Sequence, residues 1–145
     1  MEKKQIPGVI VGKIMNMGGM LQRQSNKMLQ PYKLNHQQFA IFFEITKAGK
    51  VKQKEMVNRL LLEKSHVSKV VKKLHKMGLI AISETEDRRS FWLAPTEQGE
   101  EVVAQCSKMF GEWHKEWIGD IEDDDLLTIV SCLTKLQSAF KNNSM

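Results

Sequence analysis

The sequence predicts a mainly α-helical chain carrying one small β-hairpin, and three observations lead there. Apolar residues recur at helical spacing over most of the 145 residues. Only three prolines are present, which argues against long irregular connections. One stretch, residues 79–94, breaks the helical period with two short β-rich runs around a polar turn.

The elements follow in order. Residues 6–30 form a first helix on Ile6, Ile10, Ile14, Met17, Leu21 and Met28, with Gly18-Gly19 marking a bend or a close helix contact. Pro31 ends it. Asn35, with Gln38 three residues on, is a capping-box start for a second helix that buries Phe39, Phe42, Phe43 and Ile45 and stops near Gly49. After an extended piece at Val51, helix three spans residues 53–61 with Met56, Val57 and Leu60 inward; its N-cap, Lys52, is a poor one. Helix four, residues 64–77, buries Val67, Val70, Val71 and Leu74 and ends at Gly78 in the left-handed conformation. Strands at 79–83 and 90–94 follow. Thr96 caps a long helix with Val103, Cys106, Phe110, Trp113 and Trp117 in one stripe, broken near Gly119-Asp120. Acids at 122–125 then open a last helix bearing Leu126, Val130, Leu133, Leu136 and Phe140.

With 41% apolar and 27% charged residues the chain is globular, and its net charge of +5 is unevenly spread. Residues 46–89 hold twelve Lys/Arg against five acids, a net of +7. Residues 96–145 hold four lysines against ten acids, a net of −6. The middle of the chain suits a polyanion and the C-terminal third does not. The N-terminal apolar run is interrupted at Lys13 without a run of small residues for cleavage, and no segment reaches the about 20 apolar residues of a membrane span. A cytoplasmic, soluble protein without membrane contact is expected. Cys106 and Cys132 lack metal-ligand spacing and read as buried thiols of a reducing compartment. His36, His66, His75 and His114 are scattered without a nucleophile–base pair or metal constellation, so neither enzymatic activity nor a cofactor is expected.

Helices three and four followed by the hairpin compose a winged helix-turn-helix over residues 33–96, flanked by dimerisation helices at 1–32 and 97–145. Opposite its valine face, helix four exposes Ser65, His66, Ser68, Lys69, Lys72, Lys73 and Lys76. Serine hydroxyls suit phosphates, whereas His66 and Lys69 suit base edges in a major groove. At the hairpin tip, Asp87 and Arg89 lie two apart, where a carboxylate can fix a guanidinium for a narrow minor groove, with Arg88 between them. Double-stranded DNA is therefore the expected partner. The alternative is a winged helix that docks an acidic protein on the same face.

The runs LNHQQF, KQKEMVNRLLLEKSHVSKVVKKLHKMGLI and EDRRSFWLAPTEQG resemble the MarR family of bacterial transcription regulators over about residues 30–105. The Asp-x-Arg wing followed by Thr-x-x-Gly is the most specific part. The resemblance implies that Arg89 enters the minor groove, that Asp87 orients it, and that the protein is an obligate homodimer with interlocked terminal helices. It departs from the family at Lys52, Ile82 and Pro95, and Ile82 replaces a residue that is often basic.

Apolar stripes on the terminal helices, including Trp113, Trp117 and Phe140, exceed what a small winged helix covers, and a second copy would cover them. Two recognition helices about 34 Å apart would read a pseudo-palindrome, as a repressor does on a promoter. A small-molecule effector site is expected from Met17, Met20, Arg23, Phe39, Phe43 and Trp113, residues that serve equally well as core. The family resemblance implies small aromatic acids as its ligands. It also places reactive cysteines of oxidation-sensing branches near the N-terminus, where neither Cys106 nor Cys132 lies.

Overall fold

The computed structural model describes residues 1–143. A 3-10 turn at Lys3–Gln5 leads into α1 (Ile6–Leu29), and a second turn, Gln30–Tyr32, precedes α2 (His36–Ala48). The order continues β1 (Val51–Lys52), α3 (Gln53–Leu60), α4 (Lys64–Lys76), β2 (Ile80–Glu84), β3 (Phe91–Pro95), α5 (Glu97–Ile118) and α6 (Asp123–Asn143). The fold is mostly helical with a small antiparallel sheet, as the periodicity predicts. Packing divides the chain into two compact units, residues 1–106 and 107–145, and the division falls inside α5.

The first unit owes its core to the inward faces of α2 and α4. Ile41, Phe42 and Ile45 of α2 meet Val67, Val70, Val71 and Leu74 of α4, and all seven are buried. Met56, Val51, Leu79, Ile80 and Leu93 complete the floor. The sheet runs in the order β1-β3-β2, with Leu93 opposite both Val51 and Ile82. That register puts Ile82 on the core-facing side, which accounts for an apolar residue at this departure from the family pattern. Both hairpin strands begin one residue later than expected. The short piece at Val51 is a third strand.

The predicted capping box is present: Gln38 N donates to Asn35 Oδ1 at 2.9 Å, and Asn35 N donates to Gln38 Oε1 at 3.0 Å. Lys52 makes no side-chain cap, as expected. Gly78 takes φ +79°, and Thr96 Oγ1 accepts from Gly99 N at 3.0 Å as the cap of α5. Other expectations need correction. α1 is continuous through Gly18-Gly19, and among the described residues nothing lies within 4 Å of a methyl built there, so the pair makes no close helix contact with them. Phe43 is exposed, and Ile41 takes the core position on α2 instead. Cys132 is exposed rather than buried.

Leu61, in the turn between α3 and α4, adopts φ +54° with 84% of its surface exposed. A branched side chain in the left-handed region costs about 1 kcal/mol or more, and here burial returns nothing. Leu61→Gly is expected to raise the melting temperature by about 3 °C. An unchanged or lowered melt would show the turn to be unstrained.

Cys106 is fully buried, and burial pushes its thiol up to about 11 from an ordinary value of 9.0. The folded state thus holds the proton more tightly than the unfolded state. This contribution is complete below pH 9 and is lost as pH rises toward 11. A thiol reagent at neutral pH should leave Cys106 unmodified until the protein unfolds, as mass spectrometry of the labelled chain would read.

In the second unit, the distal part of α5 carries an aromatic cluster in which Trp113 lies 5.9 Å from Trp117 and 6.5 Å from Phe110. Asp123, Asp124 and Asp125 occupy the first turn of α6, where the helix dipole favours negative charge.

Candidate nucleic-acid interface

The helix α4 is amphipathic because its four buried apolar residues recur on one stripe, which leaves the basic residues on the other faces. Ser65, Lys69, Lys72 and Lys76 are exposed, and Ser68 is half-buried. Glu63, the N-cap, makes no side-chain capping hydrogen bond. Two predicted contact residues stand apart. His66 is half-buried with its Nε2 enclosed and without a hydrogen-bond partner, rather than presented outward. Lys73 donates through Nζ to the Lys33 carbonyl oxygen at 2.9 Å and to Gln38 Oε1 at 3.0 Å. Its ammonium is occupied inside the protein.

The hairpin tip is a closed loop organised by Thr85, the one buried polar residue among those described. Thr85 N donates to the Ser90 carbonyl at 3.2 Å, and Ser90 N donates to Thr85 Oγ1 at 3.3 Å. The hydroxyl donates in turn to Asp87 Oδ1 at 2.6 Å, and that same oxygen accepts from Arg89 N at 3.1 Å. Asp87 therefore holds Arg89 by its main chain. The side-chain pairing expected from the Asp-x-Arg spacing does not occur. Arg88 completes the turn at φ +57°, with its N–H on the Thr85 carbonyl at 2.9 Å.

The Thr85 hydroxyl and then the Arg89 N–H stabilise the ionised carboxylate, and Lys52 adds to them, so the Asp87 carboxyl titrates below its ordinary 3.8. The ionised form favours the folded tip above that pH, and the benefit is lost as pH falls through the lowered value. At neutral pH the tip is locked. Among the described residues the ion pairs are Lys4–Glu2 and Arg59–Glu55 alone, so the guanidinium groups of Arg88 and Arg89 and the ammonium groups of Lys69 and Lys72 have no carboxylate partner.

A cleft of about 400 Å³ joins the wing to the helix pair. Gln53, Lys54 and Asn58 of α3, Lys64 and Ser68 of α4, and Arg89 at the base of β3 all line it. Residues from both signals read in the sequence, basic helix and charged hairpin, thus share one concave basic surface. The sequence pattern does not single out Lys54 and Lys64 as contacts, although both belong to the basic segment 46–89. On the other side of the wing, Trp92 carries Lys50 Nζ at 4.7 Å and Lys52 Nζ at 5.3 Å over its ring. Alternating lysines at 50, 52 and 54 were the available signal. Lys52, lacking a capping role, finds its contact on this ring.

The six residues expected around an effector are distributed over both compact units. Phe39 and Phe43 lie together with ring centroids 6.0 Å apart. Met17, Met20 and Arg23 are exposed on α1, and Trp113 belongs to the second compact unit. Among the described residues no three His, Cys, Asp or Glu side chains are grouped to hold a metal ion. No described helix is long and apolar enough to cross a membrane.

The MarR family model matches residues 34–91, the stretch that contains α2, the helix pair and the wing tip. Over that stretch the chain is similar to the MarR family. Among curated relatives the chain is 26% identical over 108 residues to the HTH-type transcriptional regulator BilQ of Clostridioides difficile, covering 74% of this chain and 73% of that one. It is 23% identical over 106 residues to the HTH-type regulator YwoH of Bacillus subtilis, covering 73% and 77%. Solved structures agree in fold. A MarR protein from Peptoclostridium difficile superposes with a TM-score of 0.85 at 19% identity, covering 92% of this chain and 88% of its own. A MarR-family regulator from Listeria monocytogenes complexed with 26mer DNA gives 0.82 at 19% identity, covering 92% and 89%. The organohalide-sensing RdhR-CbdbA1625 regulator in its 2,4-dichlorophenol-bound form gives 0.81 at 19% identity, covering 96% and 85%.

Proposed function

We infer that the protein is a MarR-type transcription regulator that acts as a repressor, binding pseudo-palindromic promoter sites as a homodimer and released by a small aromatic or anionic ligand. The observation that carries the reading is the cleft that unites Arg89 with Ser68 and Lys64 on a surface without neutralising carboxylates. In this reading Ser65, Ser68, Lys69 and Lys72 engage the major groove, and Arg88 and Arg89 enter the adjacent minor groove. Asp87 acts one step back, holding the main chain from which the Arg89 side chain departs. The Listeria neighbour bound to DNA supports the partner, and the chlorophenol-bound neighbour supports an aromatic effector.

Dimerisation is supported by the apolar side chains left exposed on α1 and α6. Ile6, Val11, Ile14 and Met15 on the first, and Leu127, Val130, Leu133 and Phe140 on the second, are each at least 41% exposed. A second copy would remove them from water. Selection of bound duplexes from random DNA tests the whole reading. An enriched palindrome with half-sites about one helical turn apart is expected. Sequence-independent binding without enrichment would instead favour a protein-docking winged helix.

A further inference from the structure

A polar network at the corner between α1 and α2 reaches the recognition helix. Asn26, near the end of α1, accepts the His36 main-chain N–H on Oδ1 at 2.7 Å. Gln38 Oε1, already the acceptor for Asn35 N in the capping box, also accepts from Lys73 Nζ. The same ammonium binds the carbonyl of Lys33, a residue in the left-handed conformation at φ +59°. Two of its three donors are thus spent on oxygens 40 and 35 residues away in the chain. Lys72 and Lys76 on the same helix are exposed, whereas Lys73 is half-buried at the edge of the valine stripe.

We propose that Lys73 is a positioning residue for DNA reading, bracketing α4 to the α1–α2 corner so that the recognition helix enters the groove at a fixed angle. The proposal rests on the DNA-binding reading above. Base-edge hydrogen bonds weaken steeply with misalignment, so loss of the bracket falls first on sequence discrimination. A phosphate contact behaves differently, because its loss weakens all duplexes alike. The bracket also links α4 to Asn26 through the first turn of α2, which makes α1 the frame from which the helix is held.

Lys73→Met keeps the aliphatic stem and removes the donors, and Gln38→Met removes one acceptor while leaving the lysine charge in place. Each is compared with the parent protein on the selected duplex and on a scrambled duplex of equal length, across a salt series. Lys73→Met is expected to lose roughly 10-fold on the selected duplex and under about 2-fold on the scrambled one, with the salt slope unchanged. Gln38→Met should lose selectivity likewise, and the double variant should be no weaker than the weaker single. Equal losses on both duplexes, with the log–log salt slope of the dimer reduced by about 2, would make Lys73 a phosphate contact and overturn the bracket. A second measurement needs no DNA: amide exchange at residues 36–38 should accelerate in Lys73→Met while that of β2 and β3 stays unchanged. Unaltered exchange at the corner overturns the bracket even if no duplex is enriched, the outcome that would overturn the DNA-binding reading instead.

Discussion

Arg89→Ala is expected to weaken binding to the selected operator by roughly 10- to 100-fold while leaving the melting temperature within about 1 °C of the parent. The guanidinium is exposed, pairs with no carboxylate among the described residues, and lines the cleft shared with α4. The tip does not depend on it, because Asp87 bonds the Arg89 main-chain N–H, which alanine retains. A salt-controlled gel-shift titration together with a thermal melt separates the two properties. Unchanged affinity would remove Arg89 from the interface, and a large fall in melting temperature would reassign it to the structure of the wing. Arg88→Gly offers a useful contrast, since φ +57° suits glycine and the turn should survive the loss of that charge.

The largest effect on stability is expected at Gly99. It is buried in the first turn of α5, and a methyl built there would overlap the Leu79 carbonyl and stand 3.3 Å from the Phe42 ring. That carbonyl accepts the Thr96 N–H at 3.1 Å, and Thr96 Oγ1 donates to the neighbouring Gly78 carbonyl at 2.7 Å. The start of α5 is therefore pressed onto the entry to β2 by backbone contacts that cannot shift independently. Gly99→Ala is expected to cost about 3 kcal/mol, the upper end for overpacking, and to appear as a melt lowered by roughly 10 °C. Gly111→Ala, later in the same helix with nothing within 4 Å, should instead be neutral or stabilising by up to about 1 kcal/mol. Equal melts for the two variants would contradict the close approach at Gly99.

Much of the interface lies in short-range pattern and is readable without coordinates. The stripe Val67, Val70, Val71, Leu74 orients α4, and all four residues are buried. Asn35 with Gln38, Gly78, and Thr96 with Gly99 are local signals whose geometry the neighbouring backbone determines. Where the sequence misleads, the deciding partner is distant or is backbone. Lys72 and Lys73 are adjacent and chemically identical, yet the second is withdrawn from the surface by Lys33 and Gln38. The Asp87–Arg89 spacing is meaningful, but the tight turn around Thr85 brings the carboxylate to a main-chain N–H before it can reach a guanidinium. Phe43 is exposed and Ile41 is buried because aromatic content does not say which side of α2 meets α4.

By itself, then, the sequence determined the elements and the sign of the surface. Helical and strand periods sort apolar from polar faces, and a net of +7 over residues 46–89 localises the basic surface. Only the tertiary structure decided which charges are free to act. That choice depends on whether an oxygen from elsewhere in the chain stands within hydrogen-bond reach of a given ammonium or N–H, and no helical wheel contains that distance. It also decided that α3, α4 and the wing converge on one cleft, because the β1-β3-β2 register fixes where the hairpin meets the helix pair.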